Sequence, residues 1–108
     1  MGDRGQVFFE DMGLCFYTHW GGGDLPKVLK SALIRGQARW FDSTYLARII
    51  FCEMVKGQEM DLLGYGIGTQ RYEWVDNEDI VVNVEEQRVT IGNLSWKFDE
   101  YVKQSFEE

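Results

Sequence analysis

A chain of 108 residues, 44% hydrophobic and 15% aromatic, has the length of one domain and too many apolar side chains for a disordered protein. Its formal net charge is −7, from 11 basic and 18 acidic residues. This excess argues against direct nucleic-acid binding, which needs cationic patches, and suits a surface that docks on a basic protein. We expect residues 1–108 to form a single domain.

The negative charge lies in the second half of the chain. Residues 1–54 hold six basic and six acidic side chains, whereas residues 55–108 hold five basic and twelve acidic ones. Positions 73 to 86 contain no base, and the six carboxylates there are Glu73, Asp76, Glu78, Asp79, Glu85 and Glu86. Such a run is typical of a solvated surface that keeps a protein soluble, or of an acidic docking surface.

The N-terminal residues predict a β-hairpin. Two short apolar runs, 7–9 and 14–20, lie on either side of a turn that contains Gly13. Side chains alternate between the two faces of a strand, so three residues of the second run share one face. They are Cys15, Tyr17 and His19.

Two amphipathic helices follow the hairpin. Asp24 is a suitable N-cap for the first, and Pro26 suits its first turn, where no backbone N–H is needed. Apolar residues then recur at the spacing of one helix face: Leu25, Val28, Leu29, Ala32 and Leu33. The second helix is capped by Asp42 or Ser43, has Met54 as the last residue of its apolar face, and has Gly57 as a candidate end.

The rest of the chain predicts a second hairpin and a final helix. Residues 61–74 are ambiguous, because alternating glycines at 64–68 suit either a strand with close backbone approach or an extended loop. Residues 80–84 and 88–91 predict paired strands, and Ser95 is a candidate cap for the last helix. We therefore predict an α+β fold, a small antiparallel sheet of two hairpins with about three helices packed on it.

Cys15 and Cys52 both lie in apolar runs, which predicts core packing for each. One histidine and two cysteines do not make a four-ligand zinc site without carboxylates, so we expect no metal and no cofactor. The N-terminus shows no signal peptide, and no apolar run approaches membrane-spanning length. The sequence thus predicts a cytoplasmic protein.

A first candidate site is the junction of strand and helix around the glycines at 21–23. A small ligand or nucleotide at this turn would meet Tyr17, His19 and Trp20, with Arg39 or Arg48 available for an anion. Acid–base catalysis needs a second positioned group, and the sequence offers none nearby. The alternative is a structural histidine.

A second candidate site is the acidic run with its two aromatic neighbours, Tyr72 and Trp74. Aromatic residues bordered by charge are typical of interface anchors. The alternative is that these rings line the edge of a small core.

Several segments resemble a family of small uncharacterised proteins of bacteriophages and prophages. The similarity rests on Tyr17-Thr18-His19-Trp20-Gly21-Gly22, Leu25-Pro26, Arg39-Trp40-x-Asp42 and the run 45–54. The pattern at 64–67 and at 96–101 also fits, so the resemblance covers most of the chain from Gly13 onward. It implies no catalytic residues, and it implies an accessory protein that blocks a host protein.

We therefore expect a non-enzymatic phage or prophage protein that binds a host protein in the bacterial cytoplasm. An anti-defence inhibitor, similar in role to anti-CRISPR proteins, would present its acidic surface to a nucleic-acid-binding target. The alternatives are a small-ligand or nucleotide-binding domain, with modest enzymatic activity at most, at the junction of residues 17–23, and a self-associating structural protein with a symmetric interface. Neither direct nucleic-acid binding nor membrane binding is expected.

Overall fold

The computed structural model describes residues 3–106 and has an α+β fold, as predicted. Short 3₁₀ turns at Gly22–Asp24 and Gln37–Arg39 precede the two long helices. The strands are β1 (Gly5–Phe9), β2 (Leu14–Thr18), β3 (Tyr65–Gly68), β4 (Ile80–Asn83), β5 (Arg88–Ile91) and β6 (Leu94–Lys97). The helices are α1 (Leu25–Arg35), α2 (Ser43–Met54) and α3 (Phe98–Tyr101).

The six strands form one sheet in the order β3-β2-β1-β4-β5-β6. The prediction of a purely antiparallel sheet of two hairpins was wrong in one respect, because β1 and β4 pair in parallel at the centre. Parallel neighbours need a long crossover, and here it consists of β2, both long helices and β3. The sheet also gains a third hairpin, β5 with β6.

Both long helices pack on one face of this sheet, which we call the helix face. The core is made of alternate strand residues that point towards the helices, such as Val7, Phe9, Phe16, Val82 and Val89. The predicted stripe of α1 is buried at four of its five positions, with Val28 half-buried against the core. Hydrophobic spacing therefore identified the contact face of the helix correctly.

Of the N-caps predicted for the two long helices, that of α2 is confirmed and is Asp42 rather than Ser43. Its side chain accepts a hydrogen bond from the backbone N–H of Tyr45 at 3.3 Å. Asp24 makes no such bond, because the 3₁₀ turn of residues 22–24 already gives its backbone a helical conformation.

The predicted helix from Ser95 was wrong. Residues 94–97 form β6, which pairs with β5 across a tight turn in which Gly92 has a φ of +59°. A two-residue turn between antiparallel strands needs a residue with positive φ, and glycine adopts this conformation without strain. The observed helix, α3, is a single turn that is shorter than predicted, and its Phe98 and Tyr101 are fully buried.

The two cysteines differ in environment. Cys15 is buried as predicted, but Cys52 is exposed, which corrects the prediction of core packing for both. Consecutive residues of a helix point in different directions around its axis. Apolar neighbours in the sequence therefore do not show whether a given side chain is buried. Across residues 3–106, no helix has the length and apolar character needed to cross a lipid bilayer.

Candidate functional site

The second face of the sheet, which we call the open face, is covered only in part, by the segment 69–79. A buried glutamine fastens this segment. The Gln6 side-chain amide donates to the backbone carbonyl of Tyr72 at 2.9 Å and accepts from the backbone N–H of Tyr72 at 2.9 Å. It also donates to Asp79 at 2.7 Å and accepts from the Cys15 thiol at 3.2 Å. Gln6 therefore holds the acidic segment against the sheet.

The glycines of β3 allow aromatic rings to lie on this face. Gly66 lies directly under the Tyr17 ring, and Gly68 lies under the hydroxyl of Tyr72, where a side chain would overlap them. Residues 64–68 are thus a strand with close backbone approach, one of the two alternatives left open by the sequence.

Five side chains join into one cluster on the open face, which we call the aromatic cluster: Tyr17, His19, Trp20, Tyr72 and Trp74. His19 stacks on Trp74 with ring centroids 5.8 Å apart and an interplanar angle of 11°. Tyr17 meets Tyr72 edge-on at 4.8 Å. The aromatic residues of the two candidate sites therefore belong to a single surface.

The cluster has an exposed rim. Trp20 and Trp74 keep 47% and 41% of their surface in contact with solvent. The Arg4 guanidinium lies over the Trp74 ring, 5.4 Å from its centroid, and donates to the Trp74 carbonyl. Large amphipathic rings that are held rigid and yet half exposed are the side chains that anchor interfaces.

The four carboxylates of the segment 73–79 fall into two classes. Asp76 accepts a hydrogen bond from the Arg4 backbone N–H at 2.8 Å, and Asp79 forms an ion pair with Arg71 at 3.4 Å. Glu73 and Glu78 are exposed and have no ion-pair partner among residues 3–106. The free negative charge at this end of the sheet is therefore that of Glu73 and Glu78.

The other two predicted carboxylates lie at the opposite end of the sheet. Glu85 and Glu86 form the turn that leaves β4, whereas residues 73–79 precede that strand. Glu86 pairs with Arg88 at 3.9 Å. The acidic run is thus split by the length of β4, roughly 13 Å for its four residues.

The two arginines proposed for an anion do not reach the cluster. Arg39 lies over the Tyr45 ring at 5.0 Å, and Arg48 lies on α2 beside an apolar groove. Both belong to the helical layer of the fold, whereas Tyr17 and Tyr72 lie on the open face. A site that joins these arginines to Tyr17, His19 and Trp20 is not formed.

The glycine turn is already occupied by protein groups. The N–H of Gly23 donates to the Asp3 carboxylate at 3.2 Å, and the N–H of Gly22 donates to the Asp3 carbonyl at 2.7 Å. The hydrogen bond from the Asn77 side chain, and next the one from the Gly23 N–H, lower the pKa of the Asp3 carboxyl. A cavity of about 340 Å³ beside the turn is bordered by Asp76 and Glu78, so the region repels phosphate.

Two titratable groups outside the acidic segment are buried. Burial, assisted by the charge of Asp79, raises the pKa of the Cys15 thiol to about 11, so the thiol stays protonated at neutral pH. Burial also raises the pKa of Tyr101. Within the described residues, no three His, Cys, Asp or Glu side chains meet in a way that could hold a metal ion.

Sequence reasoning missed two residues that build this surface, Gln6 and Arg4. A glutamine inside the apolar strand Gly5–Phe9 was the available signal, because a buried amide requires partners. Its partners Tyr72 and Asp79 are 66 and 73 positions away, which is why the local pattern does not reveal them.

No protein-family model, no curated protein and no solved structure matches this chain.

Proposed function

We propose that this chain is a non-enzymatic accessory protein of a phage or prophage that binds a host protein in the bacterial cytoplasm. Its target belongs to a nucleic-acid-binding defence system, which the chain inhibits as anti-CRISPR proteins do. The docking surface consists of the aromatic cluster with the free carboxylates of Glu73 and Glu78. Residues Tyr17, His19, Tyr72 and Trp74 anchor the complex, and the carboxylates orient it.

One observation supports this proposal above the others. Two half-exposed tryptophans are packed against two tyrosines and a histidine, next in the chain to Glu73, a carboxylate that lacks an ion-pair partner within residues 3–106. An interface of this composition fits a basic groove on a protein, because aromatic anchors supply affinity and unpaired charges supply steering. The same surface is negative, so it does not bind a phosphate backbone directly.

The first experiment identifies the target and then tests the anchor. The tagged chain captures proteins from host lysate at low and high salt, and mass spectrometry identifies a salt-sensitive, basic partner. Replacing Trp74 with alanine (Trp74→Ala) should then weaken binding to the purified target by about 2 kcal/mol, roughly 30-fold, because a central aromatic anchor is lost.

The matched control is Phe41→Ala. Phe41 is also an exposed aromatic residue but lies beside Asp11 and Glu85, near the opposite end of the sheet. Its loss should change the affinity less than about threefold. Equal losses for the two variants, with circular dichroism showing both folded, would mean that the aromatic cluster is not the docking surface.

A further inference from the structure

The edge strand β3 has backbone groups that are free for pairing. It pairs with β2 only, and the N–H of His19 donates to the carbonyl of Gly64 at 2.9 Å. Because exchanging pairs alternate along an antiparallel ladder, Gly66 and Gly68 bond towards β2. The N–H and C=O groups of Tyr65 and Ile67 therefore point away from the sheet.

Nothing on this edge prevents another strand from joining it. Residues 62–70 contain no charged residue and no proline, the two devices by which proteins usually protect an edge. Ile67 is 58% exposed. The opposite edge, β6, is different, because it carries Lys97 and leads straight into α3.

An apolar groove runs beside β3 on the helix face. It forms because α2 covers β2 only in part, and Ile67, which pairs with Phe16 across the strands, stays uncovered. The groove has a volume of about 420 Å³, and its lining includes Leu14, Phe16, Ala47, Arg48, Phe51 and Ile67. An apolar groove continuous with an open strand edge fits an extended chain with apolar side chains.

Exposed apolar side chains lie immediately before β3, on a segment of turns and bends. Met60, Leu62 and Leu63 are 79% to 90% exposed. If two β3 strands pair around a two-fold axis through Gly66, Ile67 of one copy faces Tyr65 of the other. Leu63 of the second copy then lies opposite Thr69, on the same face as Ile67, at the mouth of the groove.

The charge distribution favours this edge over the rest of the surface. Each copy has a net charge of −7, which opposes association. The edge itself is uncharged, however, and Arg48 beside the groove is cationic and has no ion-pair partner among residues 3–106. Repulsion between copies is therefore smallest here, and salt should strengthen the contact because it screens the remaining repulsion.

The buried area predicts a weak dimer. Covering Ile67, Met60, Leu62 and Leu63 removes on the order of 100 Å² of apolar surface for each side chain, hence roughly 400 Å² per copy before the groove and the strand edge are included. A standard stable interface buries about 800 Å² per partner. Because buried area does not by itself set the affinity, the estimate indicates only that the dimer is weaker than a standard stable complex.

We propose that two copies of this chain form a symmetric dimer by antiparallel pairing of their β3 strands, with Leu63 of each copy at the groove of the other. The contact is self-complementary, as a closed two-fold interface requires. It would leave both aromatic clusters on the same side of a continuous sheet, free for a target.

Sedimentation equilibrium of the full chain, from about 1 μM to about 1 mM, tests this proposal. Wild-type protein should dimerise reversibly, and Ile67→Lys should raise the dissociation constant at least about tenfold, because an edge lysine blocks strand pairing. The matched control is Leu94→Lys, 61% exposed on the opposite edge, which should change the constant less than about twofold.

Two further variants keep the test decisive. Leu63→Asp lies outside the sheet and should weaken the dimer even if Ile67→Lys fails to fold. Trp74→Ala, on the open face, should leave dimerisation unchanged, which separates this proposal from the proposed target binding.

A monomer at the highest concentration, or equal effects of Ile67→Lys and Leu94→Lys, would overturn the dimer. The dimer would also be overturned if the protein stayed monomeric and Ile67→Lys weakened its binding to the target. In that case a strand of the target, and not a second copy, would occupy the groove.

Discussion

The side-chain amide of Gln6 hydrogen-bonds to the backbone of Tyr72 in the way that a neighbouring peptide group would. Its amide bonds both the N–H and the C=O of Tyr72, as a peptide group in a sheet would, and a buried glutamine with every polar atom paired is stable in an apolar layer. The same amide reaches Asp79 and Cys15. Gln6 therefore fixes the position of Tyr72 in the aromatic cluster, while Arg4 contacts Trp74.

Replacing Gln6 with leucine (Gln6→Leu) should lower the free energy of unfolding by about 2–3 kcal/mol, because the backbone groups of Tyr72 lose their partners. Urea denaturation measures this loss. Tryptophan fluorescence should also shift to longer wavelength, since Trp74 moves into solvent.

The control is Gln70→Leu, an exposed glutamine in the same segment, which should change stability by less than about 0.5 kcal/mol. If Gln6→Leu unfolds like the control, the segment 69–79 is held by other contacts, such as the stacking of Arg71 on Phe8.

At the scale of secondary structure, β3 is the element on which both proposals depend. One face of it carries the rings of Tyr17 and Tyr72 over glycines, and the other exposes Ile67 beside the groove. A strand with larger residues at 66 and 68 would push the rings away from the sheet. The alternation of glycine with larger side chains is therefore a packing requirement of the open face.

Replacing Gly66 with alanine (Gly66→Ala) should destabilise the fold by about 1–3 kcal/mol, because the added methyl group overlaps the Tyr17 ring and the ring must move. Thermal denaturation measures the loss, and weakened target binding should accompany it.

Gly23→Ala is the matched control. Its methyl group would meet Asp3 at 3.4 Å, an ordinary contact, so stability should stay constant or rise slightly. An unchanged melting temperature for Gly66→Ala would show that the tyrosine ring moves without cost.

For the whole molecule, the placement of charge matters more than its total. Glu73 lies between the cluster residues Tyr72 and Trp74 in the chain, and Glu78 lies against Gly92 at the same end of the sheet, whereas Glu85 and Glu86 follow the far end of β4. Electrostatic steering depends on where charges sit relative to the docking surface, and it is screened by salt.

Two double variants, each with two carboxylates reversed at one end of the sheet, test this arrangement. Both variants have the same net charge. Glu73→Lys with Glu78→Lys should lower the association rate with the target at least about tenfold at low salt, and Glu85→Lys with Glu86→Lys should lower it less than about threefold. Stopped-flow fluorescence measures both rates. Equal reductions would indicate that only total charge matters.

The sequence by itself determined the α+β class, the first two hairpins, both long helices and the buried face of α1. These features follow from short-range regularities, because turn residues and the spacing of apolar side chains act within a few positions. The cap at Asp42 belongs with them, since its hydrogen bond spans three residues. The start of the final helix was mispredicted because a serine at position 95 is compatible both with a helix N-cap and with a strand.

The tertiary structure alone decided which residues lie together on the surface. It placed β1 beside β4, joined Tyr17 and His19 to Tyr72 and Trp74, separated Glu85 and Glu86 from the other carboxylates, and left β3 at an open edge. These relations connect positions up to about 70 residues apart, and no local preference encodes them. They arise because burying the helix face of one sheet sets the strand order, and the strand order then determines which side chains meet.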